Sequence, residues 1–540
     1  MATVESPNRS RGTRSSSRGK RRSLLTHIPV APMSPERFAG VISTEEYQAL
    51  QRLVERARNL LHGRVIWNVN STATGGGVAE LLRPLLGYCR DGGVDARWVV
   101  IQGNPMFFAV TKRLHNLLHG TDGDGGKLTD KERGVYEETL AENASQLATF
   151  LRPDDIVILH DPQTAGLTAA LHATGATIVW RCHVGIDSAN DLAHRAWSFL
   201  LPYVVAADAQ VFSRRAFVWD GLDPERIAII PPSIDSSSPK NAEMTRDHVV
   251  SILAAAGISA DRAPVAPTFT RSDGTPGRVD RRAEMIEDAP IRTEDPVVIQ
   301  ISRWDWLKDP IGVMRGFTEH VPGHHGAHLI LVGPSCESVA DDPEGADVLA
   351  AVTEAWSQLP MQERRRVHLA ALPMDDIEEN AAIVNALQRH ARVVVQKSVA
   401  EGFGLTVAEA MWKSRPVVAS RVGGIGDQIV DGESGFLIDD PHDLEGFGAA
   451  VGGLLERPQR ALEIGKAAHA RVREHFLGPR HLAQYFEFVR GLVGDRPLSE
   501  LAEKHSPQRL AAPNVAHLLK RQASDATEAD RPTAAAQAAR

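Results

Sequence analysis

Short apolar runs alternate with amphipathic segments along most of this chain, a pattern typical of parallel βαβ units. Because its 540 residues exceed what one hydrophobic core usually organises, we expect two domains, each an open, twisted α/β sheet. The boundary is predicted after residues 231–235, whose prolines cannot continue a strand. The predicted strands are 65–69, 97–101, 156–159, 177–181, 209–212 and 227–230 in the first half, and 297–302, 328–332, 367–370, 392–396, 416–419 and 436–438 in the second.

Three segments depart from this alternation. Residues 1–35 are basic and Ser-rich, residues 505–540 are rich in Ala, Gln and Arg, and both are predicted to be disordered tails. Residues 259–296 are rich in Pro, Gly, Asp and Arg, and we expect them to form an inserted, mobile linker loop. The remaining borders are predicted at 36–238 for the first domain, 239–478 for the second and 479–496 for a final helix.

The composition argues against several classes of protein. A formal net charge of -8 disfavours nucleic acid or an anionic membrane as a partner. No run approaches the roughly 20 apolar residues of a spanning helix, and residues 1–25 lack the apolar stretch of a secretory signal. Cys89, Cys182 and Cys336 are too widely separated for a zinc site or a disulfide framework. We therefore expect a cytoplasmic protein that holds no metal.

A glycine-rich loop lies between the first long strand and the helix that follows it. The run is SerThrAlaThrGlyGlyGlyValAlaGlu, 71–80. Gly76 and Gly77 let the backbone approach a ligand closely, and the helix start directs free N–H groups at it. A phosphate or a sugar suits such a position. An ordinary tight turn is the alternative, since the run matches neither a Walker A loop nor a dinucleotide-binding pattern.

Two cations follow the first strand of the second half, in SerArgTrpAspTrpLeuLys, 302–308. Arg303 and Lys308 are placed to straddle a diphosphate, Arg with a fork of donors and Lys as a point charge. Fixed cations at such a position stabilise a leaving diphosphate as its negative charge develops. Taken alone, a pair at this spacing would by default be interpreted as solvated surface charges.

A third motif supplies the context for these cations. It is GluGlyPheGlyLeuThrValAlaGlu, 401–409, after a predicted strand. The amides of Phe403, Gly404 and Leu405 would open a helix and could bind phosphate oxygens. The carboxylates of Glu401 and Glu409 suit sugar and ribose hydroxyls, which donate hydrogen bonds. Each piece could be an ordinary cap or surface charge, but the combined spacing favours a ligand site.

Polar residues also follow two strands of the first half, in the runs 160–163 and 181–187. His183 could bond a hexose hydroxyl or stabilise charge near an anomeric carbon, or it could be an ordinary structural histidine. Nearby polar side chains have the density that a carbohydrate acceptor needs. These acceptor-binding candidates are Asp161, Gln163, Arg181 and Asp187.

In these motifs the chain resembles the retaining GT-B glycosyltransferases of family 4, over about residues 63–493. The runs 65–80, 108–116, 160–166, 180–187 and 302–310 are similar to the trehalose glycosyltransferring synthases of that family. The resemblance implies two Rossmann-like domains facing across a cleft, the first binding the acceptor and the second the nucleotide-sugar. It also implies that the helix at 479–496 returns to the first domain.

The resemblance further implies a reversible reaction that makes α,α-trehalose from a nucleotide-diphosphate glucose and glucose. Arg303 and Lys308 would neutralise the diphosphate, Glu401 would bind donor glucose and Glu409 the ribose. Gly76, Gly77 and His183 would then lie near the transferred glucose. No metal or other cofactor is expected, since the two cations supply the charge.

Alternatives stay open at this stage. Another family 4 enzyme could use a sugar phosphate, another small glycoside or a lipid-linked acceptor. For a sugar phosphate, Arg181 and Lys112 could supply cations. A sugar epimerase and a non-catalytic nucleotide-sugar sensor are further alternatives. The partners expected are small sugars, without nucleic acid or stable membrane association, and a homodimer is left open. The sequence does not identify the nucleotide base.

Overall fold

The first half of the chain folds around a seven-stranded sheet. The computed structural model describes residues 25–74, 76–323, 326–335 and 344–494. In the order β1-β3-β2-β4-β5-β6-β7, every neighbouring pair is parallel except β1 and β3. The strands are β1 (Leu25–Ile28), β2 (Val65–Asn70), β3 (Asp95–Ile101), β4 (Ile156–His160), β5 (Thr177–Cys182), β6 (Ala209–Phe212) and β7 (Ile227–Ile229).

The second half repeats this architecture. A two-stranded hairpin precedes a second seven-stranded sheet, in which β10-β13-β12-β11-β14-β15-β16 is the order and only β10 runs antiparallel to its neighbour. The strands are β8 (Thr268–Thr270), β9 (Pro276–Arg278), β10 (Glu284–Ile286), β11 (Val297–Ile301), β12 (His328–Pro334), β13 (Val367–Leu372), β14 (Val393–Gln396), β15 (Val417–Ser420) and β16 (Phe436–Ile438).

Helices cover both faces of each sheet, because parallel strands such as β2 and β13 are buried along their whole length. The predicted two-sheet α/β class is thus confirmed. The helices are α1 (Thr44–Leu60), α2 (Gly77–Asp91), α3 (Pro105–Leu118), α4 (Asp130–Leu147), α5 (Thr168–His172), α6 (Asp191–Val204), α7 (Arg246–Ala255), α8 (Pro310–His320), α9 (Gly345–Ser357), α10 (Met361–Arg364), α11 (Ile377–His390), α12 (Leu405–Trp412), α13 (Ile425–Gln428), α14 (Leu444–Glu456), α15 (Pro458–His475) and α16 (Gly478–Val493).

The prediction that residues 1–35 form a disordered tail is wrong for residues 25–35. Strand β1 pairs with β3 from Leu25↔Ile101 to Ile28↔Trp98, and Leu25 is buried. Met33 is buried against α2, where it fills the space beside Gly87. These residues therefore belong to the first domain. Residues 1–24 and the predicted tail at 505–540 lie outside the described residues.

The segment 259–296 is a packed part of the second domain rather than the mobile linker that its composition predicts. Its strand β10 extends the second sheet, and Phe269, Val279 and Ile291 are buried in the core beside α7 and α11. Its polar groups are bound as well. Arg271 forms an ion pair of 2.6 Å with Asp376, and Glu379 accepts hydrogen bonds from two successive backbone amides, those of residues 280 and 281.

The final helix, α16, packs on the first domain after the chain has completed the second. The crossing point lies beside the linker, where the amide of Ile234 donates to the carbonyl of Phe476 over 2.9 Å. Phe488 and Val489 then pack under the first sheet, and Leu482 and Phe486 pack against α1. The chain therefore passes between the two domains twice, at two adjacent places.

A polar contact joins the carboxyl edges of the two domains. Arg214, which follows β6, forms an ion pair with Asp187 of its own domain and donates to Asp427 of the second domain over 3.1 Å. Asp187 in turn accepts from the amide of Gly423 over 2.9 Å. Burial raises the pKa of Asp427 to about 6, and the neighbouring Asp187 adds to the rise although Arg214 opposes it.

Membrane-spanning helices and metal-binding clusters are both absent from the described residues. No helix there is long and apolar enough to cross a membrane. No group of three His, Cys, Asp or Glu side chains is arranged there to hold a metal ion. The cysteines that these residues include, Cys89 and Cys182, are both free thiols.

Glu379→Ala should destabilise the packed segment 259–296. The substitution leaves two backbone N–H donors and the paired Arg281 without their acceptor, so we expect a loss of about 3 kcal/mol in the free energy of unfolding. Urea denaturation measures this loss, and limited proteolysis should show faster cleavage within 259–296. Glu463→Ala removes a half-exposed carboxylate and is the control. Equal stability of the two variants would contradict the packing described.

Asp427→Asn should remove a pH dependence from stability. Since the pKa of Asp427 is raised, the folded protein holds this proton more tightly than the unfolded chain. The stability of the wild type relative to the variant should therefore fall as the pH rises from about 4 to about 6, by up to roughly 3 kcal/mol. Urea titrations at several pH values measure it, with the exposed Asp439→Asn as control. A constant difference across this range would refute the assignment.

Candidate functional site

Lys308 and Glu401 form an ion pair at the carboxyl ends of β11 and β14. The Lys308 ammonium lies 2.8 Å from Glu401 Oε2, and each side chain is 14% exposed. The loop that carries Lys308 is held from two sides. Gln300 donates to the carbonyl of Lys308 over 2.7 Å, and the amide of Val399 donates to the carbonyl of Leu307 over 2.8 Å. The pair is thus fixed at the edge of the second sheet.

Arg303 lies in the same loop beside a buried carboxylate. Its guanidinium is 3.4 Å from Asp305, whose side chain is only 2% exposed. Burial favours the neutral form of Asp305, but Arg303, Lys308 and Lys112 outweigh burial and lower its pKa to about 2. Asp305 is therefore ionised, and it pairs with Arg303, one of the two cations that the sequence proposes for a diphosphate.

Helix α12 begins beside this pair in a conformation that requires glycine. Gly404 has a φ of 82°, and a Cβ there would lie 2.9 Å from the side chain of Ile425. The cap carries no side chain, so space is left before Leu405, the first residue of the helix. Phe403, directly before it, is buried and packs on Phe476. This geometry suits the predicted phosphate-binding turn.

Glu409 lies one turn further along α12 and is buried. Its nearest described cation is Lys240, at 3.7 Å, and Lys240 also contacts Glu80 of α2 at 2.5 Å. Burial raises the pKa of Glu409, Lys240 opposes the rise and Glu80 adds to it. Lys240 therefore links Glu409, the residue predicted to bind the ribose, to the helix that follows the glycine loop.

In the first domain, His183 and Asp161 lie together at the ends of β5 and β4. Asp161 has a φ of 63°, and its Oδ1 accepts from the amide of His183 over 2.7 Å. The imidazole of His183 lies 3.0 Å from that of His160, which contacts Asn68 at 3.1 Å. Burial, with help from Arg181, lowers the pKa of His183 well below its usual value. A neutral His183 can bond a hydroxyl but carries no positive charge.

The two sets of residues meet across the domain boundary. A Cβ on Gly77 would lie 3.4 Å from Leu405, and a Cβ on Gly402 would lie 2.8 Å from the carbonyl oxygen of His183. Gly76 caps α2 in an extended conformation next to this contact. The glycine loop, His183 and the Glu401–Leu405 turn thus form one cleft.

Two acceptor-binding predictions are corrected here. Arg181 is fully buried, and its guanidinium donates to the carbonyl of Ile230 over 2.7 Å. Asp187 is engaged by Arg214 and Gly423 in the domain contact described above. Gln163 is half-buried near Asp161 and stays a candidate, as does Asp161, whose pKa burial raises to about 7.

The structure adds two histidines of the α3 region that the sequence analysis did not single out. His119 lies 3.1 Å from the carbonyl of Gly185, and burial and the neighbouring Lys308 lower its pKa to about 4. His115 is half-buried near Arg303. Lys112, one turn before it, forms a 3.0 Å ion pair with Glu344 of the second domain. The helical spacing of these three residues is the signal that could have placed them on one face.

Comparisons with known proteins agree with this geometry. A family model described as "Trehalose synthase, N-terminal domain" matches residues 68–219, and one described as "Glycosyl transferases group 1" matches residues 281–471. Trehalose synthase from Pyrococcus horikoshii is 34% identical, covering 85% of this chain and 96% of the relative. Trehalose synthase from Rubrobacter xylanophilus is 35% identical, with the same coverage of both chains.

Solved structures show the same fold. The α,α-trehalose 6-phosphate synthase from Burkholderia multivorans matches with a TM-score of 0.59 at 15% identity, covering 80% of this chain and 98% of that one. The similarity in sequence extends over both domains and carries the family assignment, while the structural match supports the fold. The resemblance inferred from the motifs is confirmed, and the chain belongs to the trehalose synthase family of GT-B glycosyltransferases.

Proposed function

We propose that this protein transfers glucose from a nucleotide-diphosphate glucose to free glucose with retention, forming α,α-trehalose reversibly. The observation that carries the proposal is the Lys308–Glu401 pair, which lies at the edge of the second sheet opposite the glycine loop. It places a cation for the departing diphosphate beside a carboxylate that can accept from sugar hydroxyls. Its trehalose synthase relatives support the identity of the product.

In the proposed reaction the bond between the anomeric carbon and the diphosphate oxygen breaks as a hydroxyl oxygen of the acceptor bonds to the same face. The leaving phosphate takes the hydroxyl proton, so no protein nucleophile is required. Arg303 and Lys308 stabilise the charge that develops on the diphosphate, and no metal is needed in this scheme. Glu409 binds the ribose, while Gly76, Gly77 and His183 lie beside the glucose.

Free glucose is the acceptor we favour over a sugar phosphate. A phosphate on the acceptor would call for cations near the glycine loop, and the sequence offers Arg181 and Lys112. Arg181 is fully buried and bound to the linker carbonyl, and Lys112 is paired with Glu344. The cytoplasm is the location we propose, since dispersed free thiols such as Cys89 fit a reducing compartment.

Purified protein incubated with glucose and, separately, with ADP-, UDP- or GDP-glucose should form trehalose with at least one donor and without added metal. Carbohydrate chromatography and nucleotide release measure the product. Replacement of glucose by glucose 6-phosphate is the control for the acceptor. Turnover only with the phosphorylated acceptor would contradict the proposal, as would donor binding without turnover on either acceptor.

Lys308→Ala should lower kcat by about 10²–10³-fold while donor Kd rises less than about tenfold. The reason is that Lys308 acts mainly on charge that develops in the transition state. Steady-state kinetics and calorimetric titration of the donor separate the two effects. Lys466→Ala, which removes an exposed lysine of α15, is the matched control. A loss of affinity that accounts for the whole loss in kcat/KM would refute this role.

A further inference from the structure

The linker between the two domains is held by two buried arginines. Arg181, on β5, donates to the carbonyl of Ile230 over 2.7 Å. Arg480, in the first turn of α16, donates to the carbonyls of Pro231 and Pro232 over 2.7 and 2.5 Å. The imidazole of His481 lies 2.9 Å from the hydroxyl of Ser233. Residues 230–233 span at most about 11 Å, so the three side chains contact one short stretch of backbone. Besides burial, Arg181 also lowers the pKa of both Arg480 and His481, as expected of neighbouring groups.

Several buried side-chain nitrogens of this group have no hydrogen-bond partner. They are Nε and Nη1 of Arg181, Nε of Arg480, Nε2 of His481 and the amide nitrogen of Gln484, one turn further along α16. All four residues, here called the linker cluster, are at most 3% exposed. A buried donor without an acceptor costs about 1–3 kcal/mol. Such a concentration of them indicates that an acceptor belongs at this place.

The charge at the linker cluster is also uncompensated. Among the described residues, no carboxylate lies within 4 Å of either guanidinium. Burial lowers the pKa of Arg480 to about 9, with Arg181 adding to the effect, and both arginines depress the pKa of His481 after burial. Burial raises the pKa of Asp161 and the charge of Arg181 opposes this rise, but Oδ1 of Asp161 already accepts from the amide of His183. Water would satisfy the donors yet leave two buried positive charges unbalanced.

We propose that Arg181, Arg480, His481 and Gln484 form a binding site for a small inorganic anion of the size of chloride. The anion accepts from the unpartnered nitrogens and balances the two guanidinium charges. Because the same arginines bind the carbonyls of residues 230–232, the anion stabilises the linker and the start of α16 together. The site lies next to His183, whose pKa burial lowers with help from Arg181 and His481, and it does not depend on the proposed reaction.

Bromide is chemically similar to chloride, and its anomalous X-ray scattering locates the site directly. Crystals of the full chain grown with sodium bromide as the only halide should give an anomalous peak within hydrogen-bonding distance of Arg181 and Arg480. A position occupied only by water, or holding nothing, would overturn the proposal. This measurement uses the wild-type protein and stays decisive if a variant does not fold.

In solution, sodium chloride should raise the Tm of the wild type saturably, by about 2 °C or more, relative to sodium gluconate of equal ionic strength. Arg480→Gln should abolish the chloride-specific rise. Arg415→Gln is the matched control, since Arg415 also has an unpartnered Nε and donates to one backbone carbonyl, that of Ala391. Loss of the rise in both variants, or in neither, would refute a specific anion site.

Discussion

Parallel strands bring their carboxyl ends to one edge of a sheet, and every residue of the cleft depends on that constraint. His183 follows β5 in the first sheet, while Lys308 and Glu401 follow β11 and β14 in the second. Each sheet alone presents half of a site. The close approach of Gly402 to the carbonyl of His183 shows that the two edges meet. The position of the site therefore follows from topology before any individual side chain is considered.

The charges in the cleft are paired in a way that prepares them for a ligand. A buried ammonium such as Lys308 loses hydration, and Glu401 offsets that cost at 2.8 Å. In the proposed reaction, the diphosphate supplies a second acceptor to Lys308, which leaves Glu401 available for donor hydroxyls. Asp305 and the Lys397–Asp309 pair behind the loop keep the backbone of this region fixed. The proposed donor thus exchanges one charge partner for another, with little rearrangement of the protein.

The sequence predicts the central strands well because burial on both faces imposes continuous apolar runs. It misses β1 and β10, since a short edge strand with one partner, such as Glu284–Ile286, needs no such run. Similar limits apply to the site. The spacing of glycines and charges indicates the turn at Gly404 and the Lys308 loop, because each is formed by residues that are close in sequence. The contacts of Lys240 with Glu80 and Glu409 join distant segments, and no local pattern encodes them.

The segment from Arg181 to Asp187, at the end of β5 and in the loop after it, connects the cleft to the linker and to the second domain. Arg181 is directed at the linker carbonyl of Ile230, His183 lies at the cleft, and Asp187 contacts Gly423 of the second domain. A change in the angle between the domains must alter the contact of Asp187 with Gly423, because the two residues belong to different domains. Arg181 binds within the first domain, since the amide of Ile230 donates to the carbonyl of Phe212 on β6. His183 lies between Arg181 and Asp187. The same short segment therefore carries both the cleft residue His183 and a contact to the second domain.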